Sequence, residues 1–279
     1  MPSPGSELSS VHRTAIAAAG IRASHLLRGS KPTIFADDFA LALSELSEEQ
    51  ALGFATMSER LNGANGTTSW VLRSRFTEDR LADALSRVAQ YVILGAGLDS
   101  YALRMRDRLG KLQIFEVDDP PFQDWKLRRL EALGLNLPPQ VHFVPCDFER
   151  TSLVEALAKA GFRNDQPCFV SWLGVTQYLS REAIMETLRW AGCRPAGSEI
   201  VLTFVVPGAH AERIRQASAQ IGLDFSTFLL PEDVTGMLQS AGFTRIDHLT
   251  PARANVLYFA GRPDGLSAPE QELLVSAIV

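Results

Sequence analysis

The chain has 279 residues, 46% of them hydrophobic and 21% charged, with 27 basic against 32 acidic residues for a net charge of −5. That composition excludes a disordered chain and supports a sizeable core without disulfides or metals. The acidic balance leaves no electrostatic footprint for nucleic acid. Cys146, Cys168 and Cys193 are dispersed and form no CxxC pair or Cys/His cluster. Reduced, mostly buried thiols in a cytoplasmic protein are therefore expected, and no metal site. The small-residue run Thr14 to Ile21 is too short and too weakly apolar for a membrane span, and no signal-peptide pattern surrounds it. A soluble protein with no membrane partner is expected.

In chain order, the first ninety residues read as helices. Val11 to Leu27 is Ala-rich with aliphatic residues at helical spacing, until Gly29-Ser30-Lys31-Pro32 interrupts it. Asp37 to Leu46 and the stretch onward through Arg60 continue the pattern. Residues 61–66, with two Asn and two Gly, predict a loop, and Ser69 to Ala89 a further amphipathic helix.

From residue 90, short β-type runs alternate with helical ones. Gln90 to Leu94, Leu112 to Val117, Val141 to Cys146, Cys168 to Leu173 and Glu199 to Val206 are five strand candidates. Helices are expected over Phe122 to Leu133, Leu153 to Ala160 and Arg181 to Ala191. The alternation predicts an α/β fold whose parallel sheet is covered on both faces. A helical excursion (Ala209 to Ile221) and a helix over Pro231 to Ala241 follow. Two last β runs, Thr244 to Leu249 and Asn255 to Ala260, are separated by five residues and are expected to pair as an antiparallel hairpin. The expected organisation is one structural unit: a helical cap over 1–89, a seven-stranded core over 90–262 with a lid near 207–230, and a tail over 263–279.

Candidate chemistry sits at three strand ends. Gly95-Ala96-Gly97, followed by Leu98-Asp99-Ser100, closes the first strand, where glycines permit a sharp turn and close approach of a ligand to the backbone. A G-x-G alone fits several nucleotide-like ligands and many turns that bind nothing. Glu116-Val117-Asp118 ends the second strand 21 to 23 residues after Gly95, where a carboxylate can accept both ribose hydroxyls. Pro145-Cys146-Asp147-Phe148 ends the third, where an acid and a ring can hold an adenine; Asp before a helix is equally an N-cap type. Together the three would share the carboxyl edge of one sheet, where such folds bind ligands.

With these motifs the chain resembles the leucine carboxyl methyltransferase family of S-adenosylmethionine-dependent enzymes. The resemblance covers roughly residues 11 to 260 and rests on LGAGLDS (94–100), FEVDDPPFQDWK (115–126), PCDF (145–148), GVTQYL (174–179) and the pair Arg73 and Arg75. Bacterial members include O-methyltransferases of polyketide pathways. The resemblance implies a class I methyltransferase (Rossmann-like) fold, its last strand pair antiparallel, with S-adenosyl-L-methionine as cofactor. It implies that Gly95, Ala96 and Gly97 underlie the methionine part, Asp118 holds the ribose, and Asp147 with Phe148 holds the adenine. Arg73, with Arg22 as second candidate, would pair with the methionine carboxylate, and Tyr178 would face the transferred methyl group. The family's eukaryotic members carry a Glu at the position of Leu173, so that acidic contact is absent here, which weakens the transfer of their acceptor, a C-terminal leucine of a phosphatase subunit. The implied reaction is O-methyl transfer to a carboxylate or hydroxyl of a small molecule; His210, at the start of the excursion, is a candidate base for a hydroxyl acceptor. A nicotinamide-dependent dehydrogenase would share the glycine turn and the second-strand acid but leave FEVDDP…K, Asp147 and the closing strand pair unexplained. A non-catalytic module of the same fold is the other alternative, prompted by Leu173.

Overall fold

The computed structural model describes residues 9–279 except Ser30 and Ile221, so the far end of the expected helix Ala209 to Ile221 lies outside the described residues. Four helices come first: α1 (Ser10–Leu27), α2 (Ala40–Ser44), α3 (Glu48–Asn62) and α4 (Thr68–Ala84). No strand precedes Gln90 among the described residues. Helix α3 starts where Ser47 and Gln50 form a reciprocal capping box. Glu45, in a left-handed conformation at φ 60°, separates it from α2, which starts at Ala40 rather than at Asp37 as expected.

The strands β1 (Gln90–Leu94), β2 (Gln113–Asp118), β3 (Val141–Pro145), β4 (Cys168–Trp172) and β5 (Glu199–Val205) are parallel neighbours, within a sheet of order β3-β2-β1-β4-β5-β7-β6. Every residue of β1, β4 and β5 is buried, as expected of parallel strands covered on both faces. Between them run α5 (Tyr101–Arg104), α6 (Pro120–Ala132), α7 (Leu153–Lys159) and α8 (Arg181–Gly192). After β5 come α9 (Ala209–Ala219), α10 (Pro231–Ala241), β6 (Arg245–Leu249), α11 (Pro251–Ala254) and β7 (Glu272–Ile278). Cys146 and Cys168 are buried thiols, and Cys193 is exposed. Among the described residues no helix is long and apolar enough to cross a membrane.

The closing strand corrects the sequence reading. Residues 255–260 do not form a hairpin with β6; Asn255–Phe259 is a π-helical turn continuing α11. The seventh strand is Glu272–Ile278, inside the stretch expected to be a tail, and it pairs antiparallel with both β5 and β6. The physical reason is local. Thr250 caps α11, accepting from the Arg253 N–H, and Pro251 occupies the first helical position, so the chain leaves β6 as a helix. Val256 and Leu257 then face solvent at 73% and 55% exposure, whereas Leu274, Val275 and Ala277 of β7 are buried between two strands.

The loop from α1 to α2 is pinned by a histidine. His25 is buried, and its Nε2 accepts the Ile34 N–H at 3.1 Å, which requires a neutral ring. Burial, helped by the Arg262 charge, lowers its pKa from 6.5 to about 4. A depressed folded-state value means that stability is present above pH 6.5 and is lost as pH falls towards 4, where the unfolded chain binds a proton that the folded chain resists. One pKa unit corresponds to 1.36 kcal/mol, so urea unfolding should show a loss of about 2–3 kcal/mol between pH 7 and 4 that His25→Gln removes. Parallel stability profiles for the two proteins would refute this.

Candidate functional site

Because β1 to β4 are parallel and adjacent, their carboxyl ends present one row of groups. In spatial order these are Asp147 after β3, Asp118 closing β2, the glycine turn after β1, and Leu173-Gly174 after β4. At about 4.8 Å per strand the row spans about 14 Å. All of them line a single cavity of about 500 Å³, and Arg22, Arg73, Ala96, Phe148 and Tyr178 line it too. Every site residue expected from the sequence is therefore brought together, except His210 on α9, which lies outside that lining.

The turn is built from backbone constraints. The N–H groups of Gly95 and Ala96 donate to the Val117 carbonyl at 2.8 and 3.0 Å, which curls the chain over the end of β2. Gly95 (φ 67°) and Gly97 (φ 51°) occupy left-handed conformations that favour glycine. A Cβ on Gly95 would sit 2.4 Å from a methyl of Val175, and one on Gly97 would sit 3.2 Å from the Ala15 methyl of α1. The turn thus lies flush against Val175 on one side and Ala15 of the cap on the other, leaving room only for backbone at those two points.

Asp118 is aimed by the same backbone. One carboxylate oxygen accepts the Gly97 N–H and the other accepts the Asp119 N–H at 2.7 Å. Burial pushes its pKa up, and these two donors pull against that rise. Each oxygen keeps a lone pair for a hydroxyl. Two residues earlier on β2, Glu116 is buried with Lys126 of α6, whose ammonium reaches both Glu116 at 2.5 Å and the Asp99 carbonyl at 2.9 Å. The Glu…Lys spacing of FEVDDPPFQDWK is therefore a strut between strand, helix and turn. Asp147 is fixed by accepting the Glu149 N–H at 2.9 Å, and Phe148 packs against the core beside it.

The two arginines differ. Arg22 lines the cavity, but its Nε donates to Asp37 at 2.8 Å and its Nη2 to the Leu98 carbonyl at 2.8 Å, so it braces the turn. Asp37 also accepts from Ser100 at 2.6 Å. Burial opposes its charge, yet Arg22 and Arg104 prevail and hold its pKa below the usual value. Arg73 stacks on Trp70 with its guanidinium carbon 4.3 Å from the ring centre, and its Nη1 donates to Glu272 at 3.0 Å. Tyr178, in a turn of 3₁₀ helix, has its pKa raised by burial, with Thr14 as a hydrogen-bond partner. Its hydroxyl stays protonated near neutral pH and can donate a hydrogen bond.

Several contributors were invisible in the sequence. His12 of α1 lines the cavity, its Nε2 2.9 Å from Asp119 and its ring stacked on Phe122. Asp37, Trp70 and Glu272 are the others. The expected lid also differs: no described residue of 207–230 lines the cavity, and that segment reaches the site through Phe225, packed edge-on against Tyr178 at 5.0 Å. The expected N-terminal cap does contribute to the lining, through Ala15 and Ala18 of α1 and Trp70 of α4.

Residues 15–192 match the leucine carboxyl methyltransferase family. The chain belongs to that family. It is 30% identical to YktD of Bacillus subtilis (strain 168), an inferred S-adenosyl-L-methionine-dependent methyltransferase, over 95% of this chain and 97% of that one. A Frankia alni relative, likewise an inferred S-adenosyl-L-methionine-dependent methyltransferase, is 31% identical over 98% of this chain and 96% of its own. Among solved structures, an inferred methyltransferase from Thermobifida fusca YX aligns with a TM-score of 0.61 at 15% identity, covering 85% of this chain and 92% of that one. A DUF574-family protein from Streptomyces avermitilis aligns at 0.58 and 12% identity, covering 92% and 96%. At those identities the likeness shows the fold alone, a seven-stranded methyltransferase sheet with its last pair antiparallel. This family member carries Leu173, an uncharged, half-buried side chain, at the cavity wall; the neighbouring Gly174 N–H donates to Thr203 at 2.7 Å.

Proposed function

We propose that the protein is an S-adenosylmethionine-dependent O-methyltransferase acting on a carboxylate or hydroxyl of a small molecule. The observation that carries this reading is the row at the sheet edge, with carboxylates at one end, a flush glycine turn in the middle and a stacked arginine at the other. The order suits an extended ligand with a base and a diol at one end and an amino-acid carboxylate at the other. Asp147 and Phe148 would hold the adenine, Asp118 the ribose, the turn Gly95-Ala96-Gly97 the methionine chain and Arg73 its carboxylate, while Arg22 secures the turn. The lining fits the cofactor: both Asp118 oxygens keep a lone pair for a diol, and Gly95, Ala96 and Gly97 line the same cavity as Asp147, Phe148 and Arg73.

When bound, the cofactor supplies a methyl carbon activated by its sulfonium. The protein's contribution is alignment of an acceptor oxygen and exclusion of water. Tyr178 donates a hydrogen bond that orients the acceptor. A carboxylate acceptor, already anionic, asks no base of the protein.

Arg73→Lys tests the assignment. Lysine keeps the charge but cannot stack as a plane on Trp70 or offer a fork. Calorimetry should show S-adenosylmethionine and S-adenosylhomocysteine weakened about ten- to a hundredfold, the range for losing a charge-assisted hydrogen bond. Methylthioadenosine, which lacks the carboxylate, should bind both proteins equally. Unchanged binding of all three would remove Arg73 from the site. A screen of carboxylic acids and phenols with labelled methyl donor separates a transferase from a module that only binds.

A further inference from the structure

Arg73 is held on three sides. The Trp70 ring covers one face of its guanidinium, and Gly174 lies so close that a Cβ there would sit 2.5 Å from Nη1 and 2.9 Å from Cζ. Gly174 has φ 70°, so glycine also serves the backbone here. From the third side Glu272 accepts from Nη1 at 3.0 Å, with the side chains of Arg73 and Glu272 only 10% and 16% exposed. Among the described residues no protein acceptor is recorded for Nε and Nη2 of Arg73, whose side chain lines the cavity. Glu272 does not line it.

An arginine with one nitrogen bound to a carboxylate, a ring over one face and Gly174 pressed against its end retains little freedom to swing. We infer that Glu272, the first residue of β7, is a positioning residue: it fixes the Arg73 guanidinium so that the remaining donors meet the ligand carboxylate. This rests on the assignment of Arg73 to that carboxylate made above. Its negative charge also opposes a second anion, so two effects compete. Removing Glu272 would relieve repulsion but release the fork, whereas replacing it by an uncharged amide would relieve repulsion and keep an oxygen acceptor in place. The buried, closely packed geometry makes orientation the larger effect, because a guanidinium that rotates loses its paired donors altogether.

The test compares Glu272→Ala and Glu272→Gln with wild type and Arg73→Lys, by titrating S-adenosylhomocysteine and methylthioadenosine. Glu272→Ala should weaken S-adenosylhomocysteine about tenfold and leave methylthioadenosine unchanged, while Glu272→Gln should bind S-adenosylhomocysteine as wild type or more tightly. A merely structural role for Glu272 would move both ligands together and overturn the inference. So would tighter S-adenosylhomocysteine binding by Glu272→Ala, which would make Glu272 a competitor. If Arg73→Lys discriminates between the ligands and Glu272→Ala does not, the positioning role fails and the Arg73 assignment stands. If Arg73→Lys itself fails to discriminate, both fall.

Discussion

Gly95→Val should abolish useful cofactor binding, lowering affinity for S-adenosylhomocysteine by about 3 kcal/mol, or roughly a hundredfold. Two independent costs act at this position. The backbone sits at φ 67°, which costs a non-glycine residue about 1–2 kcal/mol. Any Cβ also meets a Val175 methyl at 2.4 Å, and valine is stiff about χ1, so the wall rather than the intruder must move. Val175 lines the cavity, so its displacement changes the shape of the ligand's space. Gly95→Ala combined with Val175→Ala should recover part of the affinity lost by Gly95→Ala alone, since only the steric cost is relieved. Equal binding by the single and double variants would show that backbone strain dominates.

Lys126→Ala should be the most destabilising single substitution proposed, at about 3–5 kcal/mol, because it leaves Glu116 buried without its counter-charge. Burial already pushes the Glu116 pKa up, and Lys126 is the main force opposing that. The pair Glu116→Leu with Lys126→Met should cost much less than Lys126→Ala, since an uncompensated charge is worse than an apolar pair of similar volume. Both variants lose the bond to the Asp99 carbonyl, so both should bind cofactor more weakly even where the double variant is stable. Urea titrations and calorimetry separate the two effects. A Lys126→Ala protein of near wild-type stability would show that Glu116 finds another partner or takes up a proton without strain.

What could be read from the sequence was what the chain encodes locally. The glycine turn and the acids at the ends of β2 and β3 follow a short β-run within a few residues, so their placement on one edge follows once the strands are parallel. The Glu116…Lys126 strut belonged to a recognisable pattern, although its role became visible only with the amine lying between strand and turn. The long-range partners were not legible. Asp37 looked like the start of a helix, and nothing near it signals that Arg22, Ser100 and Arg104 converge on it. His12 and Trp70 reach the cavity because α1 and α4 fold across the sheet edge, a matter of cap packing. The misplaced seventh strand has a sharper lesson. Short apolar runs such as 255–260 are ambiguous between strand and helix, and Thr250-Pro251 just before it was an available helix-start signal.

The position of β7 also makes completion of the sheet depend on a single segment. It comes last in the sequence yet lies between β5 and β6, and β7 is the neighbour through which β6 joins the sheet. Without residues 272–278, β6 has no strand through which to join the sheet, and the outer edge of β5 is left unpaired. Insertion of β7 then closes both gaps at once. Its leading residue, Glu272, reaches Arg73 in the same movement. The ion pair beside the ligand pocket therefore depends on a complete sheet, so that a chain carrying every motif of the glycine turn still lacks the fixed arginine unless β7 is in place.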